Sequence, residues 1–347
     1  MQKNILVRSI AALSGIVMLA SVAACGDNTA TTTDNSSSSD STSKSTPISG
    51  NFSGAGASSQ QAAVEAWIAG FQGTNPEAKI AYNPSGSGAG VQTFLTGATA
   101  WAGSDKALAD DEVEQSKSVC TEGTAFDVPV YISPIAVVFN LKGVSDAGKH
   151  INMDAATIAK IFDGKITKWN DPAIADQNKD LKLPDTAITV VHRSDKSGTT
   201  QNFVSYFKDV TPDNWTYDLS ENWPNEVGQG AKGTSGVIST VKQADGTIGY
   251  ADFSQVGDLG TVAVKVGDKY NEISAEAEGA YPIVLVSYDI VCPAYKDTKQ
   301  AEFAKAWLTY VTSDEGQKAA QDAAGTAPLP SSLKSEITKS IEAIKTK

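Results

Sequence analysis

Two apolar segments that lie far apart in the chain constrain its fold more than any other feature. Residues 128–140 and residues 281–292 are both rich in β-branched and other apolar side chains. Such runs are typical of buried strands. Each run fits a strand that passes between two domains, so the pair predicts a discontinuous first domain with a second one inserted into it. We expect the first domain at residues 49–132 and 285–347, and the second at residues 133–284.

Elsewhere in the chain, strand patterns alternate with helical patterns. The strand patterns lie at residues 79–82, 100–105, 188–191 and 246–251, and the helical ones at residues 64–71, 155–162, 201–207, 300–311 and 332–345. The alternation predicts an α/β architecture in which each domain is a sheet flanked by helices. The glycine-rich residues 228–236 carry neither periodicity and predict a loop.

The composition is that of a globular protein that does not bind nucleic acid. Its 347 residues are enough for two domains with cores, and 41% of them are hydrophobic and 20% charged. The net charge is −12, and it becomes −14 once the two cations of the leader, Lys3 and Arg8, are removed. Such a surface repels polyanions. An anionic ligand must therefore be held by directed hydrogen bonds.

The N-terminus predicts export followed by lipid anchoring. After the positive residues comes an apolar run, residues 10–24, which is short for a membrane span and ends in Val22-Ala23-Ala24-Cys25-Gly26. This ending resembles the lipobox of bacterial lipoproteins, whose cysteine is acylated, for example with palmitate. We expect a signal peptide at residues 1–24, a lipidated Cys25, and a flexible tether at residues 25–48. A secretory peptide that is cleaved near a chance cysteine is the alternative.

Two cysteines, Cys120 and Cys292, remain once Cys25 carries lipid. In an oxidising exterior, an even number of cysteines favours one disulfide. Two separate buried thiols are the alternative, because sequence alone does not show proximity.

Three turns of small residues, each between a strand and a helix, predict a site for a tetrahedral anion. They lie at residues 57–59, 85–90 and 195–199. Such turns present backbone N–H groups, hydroxyls and the positive end of a helix dipole. In the first turn, Ser58 or Ser59 is expected to cap the following helix. The third turn follows Arg193, the only arginine beyond Arg8 of the leader, and Asp105 ends a strand nearby in the predicted fold.

These segments, taken in order, resemble the phosphate-binding (PstS) family of bacterial phosphate ABC transporters. The resemblance covers residue 49 to about residue 339. The matching motifs are Gly54-Ala55-Gly56-Ala57, Gly86-Ser87, Gly90-Val91, Ser104-Asp105, residues 161–169, residues 193–200 and residues 246–250. It implies the type II periplasmic-binding-protein fold, in which two hinge strands join two α/β domains and phosphate is held in the cleft between them.

Within that family, nine positions of this chain correspond to the phosphate site. The first turn departs from the usual pattern, because Ser58 and Ser59 stand where the family often has Thr and Phe; a serine hydroxyl can replace that of threonine, and the second position acts through its backbone N–H. The implied phosphate-binding residues are Ser58, Ser59, Ser87, Asp105, Arg193, Asp195, Ser197, Gly198 and Thr199.

A carboxylate in such a site selects between oxyanions. Phosphate near neutral pH keeps a proton that Asp105 can accept in a hydrogen bond, whereas sulfate meets the carboxylate with a lone pair and a like charge. Burying that mismatch costs a few kcal/mol, roughly a hundredfold in affinity. Arg193 supplies charge-assisted hydrogen bonds, and Asp195 is expected to orient its guanidinium.

Two other functions need to be weighed against phosphate binding. A binder of another tetrahedral oxyanion would use the same turns. A secreted phosphate-ester hydrolase would need a nucleophile with a base, or metal ligands, but the only histidines are His150 and His192. His192 neighbours Arg193 on a strand and should face the other way, and Lys232 lacks the surrounding P-loop pattern. We therefore expect no enzyme activity, no cofactor and no metal.

The expected partners are inorganic phosphate, the permease subunits of an ABC transporter, and the outer face of the cell membrane through the lipid on Cys25. The protein is expected to be a monomer. Phosphate should close the two domains about hinges near residues 130–133 and 283–286.

Overall fold

The computed structural model describes residues 47–145, 149–273 and 281–346. The predicted signal peptide, Cys25 and all but the last two residues of the predicted tether lie outside the described residues. Strands and helices alternate along the described chain, which confirms the α/β class. No helix in these ranges is both long and apolar enough to cross a membrane.

Eleven strands form one curled sheet within the described residues. They are β1 Gly50–Gly56, β2 Ala78–Asn83, β3 Trp101–Ser104, β4 Phe126–Asn140, β5 Ile151–Met153, β6 Thr189–Arg193, β7 Gln229–Ala231, β8 Thr247–Asp252, β9 Gly260–Val266, β10 Lys269–Asn271 and β11 Val284–Val291. Along the sheet their order is β2-β1-β3-β11-β4-β8-β6-β7, while β9 pairs with β4, β5 and β10.

Ten helices flank this sheet within the same ranges. They are α1 Gln61–Thr74, α2 Ser87–Leu95, α3 Asp110–Gln115, α4 Ala155–Phe162, α5 Pro172–Ala175, α6 Gly198–Val210, α7 Gly233–Gln243, α8 Thr298–Val311, α9 Asp314–Ala324 and α10 Ser331–Glu342.

The two long apolar runs of the sequence form neighbouring antiparallel strands, β4 and β11. Residues 126–134 of β4 pair with β11, and residues 135–140 pair with β8. Strand β4 therefore joins the β1–β3 part of the sheet to the β6–β8 part. The described residues cluster as one compact unit, and the division into domains at residues 132 and 284 stays a prediction.

Aromatic side chains fill the core on both sides of the β4 and β11 pair. On one side, α1 and α8 pack together, with the rings of Trp67 and Trp307 6.3 Å apart and nearly perpendicular. On the other side, Phe203 of α6 stacks on Tyr250 of β8 at 4.4 Å. These helices bury one face each because their apolar residues recur at helical spacing, as the sequence predicted for α1 and α8. In α1, Ile68 is only partly buried.

Three local predictions differ from the structure. Residues 228–236 are not a plain loop, since they contain β7 and the start of α7 at Gly233. The helix after the second turn begins at Ser87, inside the predicted turn, and α9 was not predicted at all. In each case tertiary pairing or packing overrides a weak local pattern: β7 is only three residues long and exists because it pairs in parallel with β6.

The two cysteines are bonded to each other, which confirms the predicted disulfide. Cys120 and Cys292 have Cα atoms 5.3 Å apart and are separated by 172 positions in sequence. The bond joins the segment before β4 to the residue that follows β11, so it lies on the β1–β3 side of the sheet.

Candidate anion-binding site

The three small-residue turns and Asp105 meet at one point where strands end and helices begin. The first turn connects β1 to α1, Ser87 is the first residue of α2, and Ser197 precedes α6. The Ser87 hydroxyl accepts hydrogen bonds from the backbone N–H groups of Asp105, at 3.3 Å, and Gly198, at 3.1 Å. Helix N-termini that converge in this way concentrate N–H donors and positive dipole ends.

Asp105 is a buried carboxylate, with 1% of its surface exposed, surrounded by hydroxyls. Its Oδ2 accepts from Ser59 Oγ at 2.5 Å and from Thr199 Oγ1 at 2.7 Å, and its Oδ1 accepts from Ser287 Oγ at 2.8 Å. Burial raises the pKa of Asp105, while these three hydrogen bonds and the charge of Arg193 oppose the increase. The carboxylate is thus stabilised mainly by neutral donors.

Arg193 is equally buried and is held by Asp195. The guanidinium donates from Nε to Asp195 Oδ1 at 2.8 Å and from Nη2 to Asp195 Oδ2 at 2.5 Å. Burial alone would raise the pKa of Asp195, but the hydrogen bonds and charge of Arg193 lower it below its usual value. The two hydrogen bonds to Asp195 use two of the five N–H donors of the guanidinium and fix the orientation of its plane, as predicted for Asp195.

Helix α6 approaches Asp105 so closely that only glycine fits at its first position. A Cβ on Gly198 would lie 2.8 Å from the backbone carbonyl carbon of Asp105. Ser197 caps the helix, since its hydroxyl accepts from Thr200 N–H at 3.2 Å. Asn202 of α6 also holds the helix against Asp105, because its Nδ2 donates to the Asp105 carbonyl oxygen at 2.6 Å.

The serines of the first turn do not cap α1, which corrects the prediction. The helix has Gln60 at its N-cap and no side-chain cap. The Ser59 hydroxyl instead donates to Asp105, and Ser58 Oγ lies 3.0 Å from Thr234 Oγ1. Both hydroxyls therefore contact partners far away in sequence rather than N–H groups of their own helix.

Comparisons with known proteins identify the family of this chain. Residues 41–315 match the model of a PBP superfamily domain. The phosphate-binding protein PstS 2 of Mycobacterium tuberculosis is 33% identical over 323 residues, which cover 83% of this chain and 86% of that protein. The chain belongs to the PstS phosphate-binding protein family. The PstS of Xylella fastidiosa is also 33% identical, over 320 residues that cover 82% of this chain and 83% of that protein.

Solved structures support the PstS fold. A high-affinity periplasmic phosphate-binding protein, PfluDING, solved with phosphate, aligns with a TM-score of 0.67 at 19% identity, covering 84% of this chain and 93% of its own. The phosphate-binding protein of Stenotrophomonas maltophilia gives 0.65 at 19% identity, with 84% and 93% covered. At this level of identity the likeness confirms the α/β fold.

Several residues of this candidate site escaped prediction from the sequence. Thr234, the second residue of α7, donates its backbone N–H to Ser58 Oγ at 2.9 Å, and Gly233 donates its N–H to Asp195 Oδ1 at 3.0 Å. The signal was present, because residues 228–236 contain a fourth small-residue turn between a strand and a helix. Ser287 gave a weaker signal, as a polar residue inside a buried apolar run.

Neither histidine takes part in the site. The His192 ring stacks on Trp223, with centroids 5.0 Å apart, and so faces away from the Arg193 guanidinium. His150 pairs instead with Glu272, at 3.2 Å from Nδ1 to Oε1. Among the described residues, no group of three or more His, Cys, Asp or Glu could hold a metal ion. The arrangement therefore offers hydrogen-bond donors, one guanidinium and one buried acceptor.

A largely buried charged cluster follows Asp105 in the chain. Lys106 Nζ lies 2.7 Å from Glu112 Oε2 and 3.9 Å from Glu221 Oε2. Burial raises the pKa of Glu221, and the nearby charge of Lys106 opposes the increase. Because Lys106 is already shared by two carboxylates, the positive charge available to an anion in the site comes chiefly from Arg193.

Proposed function

We propose that this protein binds inorganic phosphate between the β1–β3 and β6–β8 parts of its fold and delivers it to an ABC permease. One observation carries the proposal. In a member of the PstS family, a fully buried carboxylate, Asp105, lies among helix N-termini and hydroxyls beside a single clamped guanidinium, Arg193. A protonated tetrahedral anion is complementary to this mixture of many donors with one acceptor.

In this proposal the site residues divide into donors, an acceptor and a positioning residue. Asp105 accepts a hydrogen bond from the phosphate O–H, and Asp195 holds Arg193 in place. The donors are the hydroxyls or backbone N–H groups of Ser58, Ser59, Ser87, Ser197, Gly198 and Thr199, together with the Arg193 guanidinium. Thr234 supports the first turn through Ser58.

The acceptor gives the site its preference for phosphate over sulfate. Fully ionised sulfate has no proton to give to Asp105, so the carboxylate would lie buried against an anion without a hydrogen bond. Such a mismatch costs a few kcal/mol, or about a hundredfold in affinity. Binding therefore rejects sulfate even though the two anions have similar size and shape.

The wider mechanism is proposed on the same basis. Residues 49–132 with 285–347 and residues 133–284 act as two domains that close over phosphate, and β4 and β11 are the strands that connect them. A lipid on Cys25 holds the protein at the outer face of the membrane, where the closed form meets the permease. The role is binding rather than catalysis, since neither histidine reaches the site.

Calorimetry with the purified full-length protein tests the proposal. We expect phosphate to bind with a dissociation constant of about 1 µM or lower, and sulfate to bind about a hundredfold more weakly. Equal affinity for the two anions would contradict the role of Asp105. Turnover of phosphate esters by the same preparation would contradict a pure binding function.

A further inference from the structure

Ser287 contacts Asp105 from the side opposite the ligand turns. It is fully buried on β11, and its hydroxyl donates to Asp105 Oδ1 at 2.8 Å. The other two donors, Ser59 and Thr199, reach Oδ2 and belong to the turns that are proposed to hold the anion. Within the described residues, Ser287 is therefore the one donor to the Asp105 carboxylate that stands outside the proposed ligand positions.

Gln60 determines where the single hydroxyl proton of Ser287 points. Gln60 Nε2 lies 2.8 Å from Ser287 Oγ and 2.9 Å from the carbonyl oxygen of Tyr288. A carbonyl oxygen only accepts hydrogen bonds, so the amide nitrogen of Gln60 must face this side. The Ser287 oxygen thus accepts from Gln60, and its own proton is directed to Asp105.

The pairing of β11 with β4 is irregular at this position. One extra residue of β4, Val130, lies opposite the step from Ser287 to Tyr288, which makes a β-bulge in β4. Such a bulge bends the strand and is frequent beside functional sites. The bulge, Gln60 and Ser287 together hold Oδ1 of the Asp105 carboxylate. Oδ2 remains for the turns that are proposed to hold the anion.

We propose that Ser287, oriented by Gln60, is a positioning residue that sets the selectivity of the site by keeping Asp105 ionised, with its Oδ2 edge turned to the anion. This inference rests on the proposed phosphate function. An ionised Asp105 can only accept, so it rejects sulfate, whereas a protonated Asp105 could donate to sulfate and would lose the discrimination.

The surroundings of Asp105 make its ionisation depend on such donors. The ionisable groups that act on it are Arg193 of β6, whose charge lowers its pKa, and Tyr82, Tyr131 and Asp252 from β2, β4 and β8. Burial raises the pKa values of both tyrosines well above their usual range, so they stay neutral, and it raises that of Asp252 to about 7. Arg193 is itself occupied by Asp195, which leaves the hydroxyls as the direct support of the Asp105 charge.

The test compares phosphate and sulfate affinities of the full-length wild type and variants from mildly acidic to mildly alkaline pH. Ser287→Ala removes the donor, so the phosphate-to-sulfate affinity ratio should fall about 10- to 100-fold. The pH below which sulfate begins to bind should rise by about one to two units. Ser287→Thr keeps the hydroxyl and should restore most of the ratio, while Gln60→Met, which frees the hydroxyl to rotate, should give an intermediate loss.

Ser116→Ala is the control, because Ser116 is an equally buried serine whose hydroxyl bonds to the backbone of Val113 and Ala125 rather than to Asp105. An unchanged ratio in Ser287→Ala at every pH would overturn the inference, and so would an equal loss in Ser116→Ala, which would indicate a general effect of removing a buried hydroxyl. If Ser287→Ala fails to fold, Ser287→Cys, which keeps the volume and weakens the donor, takes its place with the same expectations. A wild type that does not prefer phosphate would refute the proposed function itself, before any variant is compared.

Discussion

Replacing Gly198 by alanine tests the close approach on which the site depends. The added Cβ would lie 2.8 Å from the Asp105 carbonyl carbon, 2.9 Å from Asp105 Cβ and 3.0 Å from Lys106 N. Two of these three atoms are backbone, so the clash is relieved only by moving α6 away from the Asp105 loop. Overpacking of this kind costs about 1–3 kcal/mol. Since the cost falls on the arrangement that surrounds the anion, phosphate affinity should drop about 5- to 150-fold.

Calorimetry with phosphate measures this loss, and Gly73→Ala is the control. Gly73 lies in α1, and a Cβ there meets no atom within 4 Å. Alanine at that position should stabilise the helix by about 0.5–1 kcal/mol and leave phosphate binding unchanged. If Gly198→Ala binds phosphate as tightly as the wild type, α6 does not approach Asp105 in the binding form, and the reasoning fails.

Three further predictions follow from other parts of the structure. Arg193→Lys keeps the charge but loses the bidentate contact with Asp195. Calorimetry should show phosphate binding weakened about 10- to 100-fold. Wild-type affinity in this variant would mean that the bidentate contact is not needed. Replacing both Cys120 and Cys292 by serine should lower the free energy of unfolding by about 2–5 kcal/mol in denaturant titrations, because the bond closes a long loop. Phosphate affinity should not change, since the bond lies away from the site. Equal stability with and without the bond would contradict this prediction. Burial raises the pKa of Asp289 to about 7, above the value of about 4 in the unfolded chain, so the folded protein retains a proton that the unfolded chain releases. The contribution of Asp289 to the free energy of unfolding should therefore fall as pH rises from about 4 through 7, by at most about 4 kcal/mol. Asp289→Asn should remove this share of the fall and leave that of Asp252, whose pKa is also raised to about 7; a pH profile identical to that of the wild type would refute the prediction.

The sequence predicted well those parts of the fold whose pattern is local and strong. The helices α4 and α8 and the strands β4 and β11 follow from apolar periodicity, and the core depends on the same side chains. Strand β7 and helix α9 could not be found this way. The first is short and exists only because β6 lies beside it, and the second has few apolar residues to make a stripe.

The motif residues of the candidate site could be found from the sequence, whereas the residues that support them could not. Asp105, Arg193 and the turn residues stand in recognisable turns, and the structure brings them together. Gln60, Thr234 and Ser287 have no such pattern, since their importance comes from contacts between positions far apart in the chain. The capping role expected of Ser58 and Ser59 was wrong for the same reason, because local propensity does not show which distant partner a hydroxyl will find.

The central claim is that Asp105 selects phosphate, and one comparison tests it most directly. Phosphate and sulfate affinities of the wild type and Asp105→Asn should be measured by calorimetry at neutral pH. The wild type should prefer phosphate by about a hundredfold, and Asp105→Asn, whose amide can donate to either anion, should lose most of that preference. An Asp105→Asn variant that still discriminates as strongly as the wild type would contradict the account.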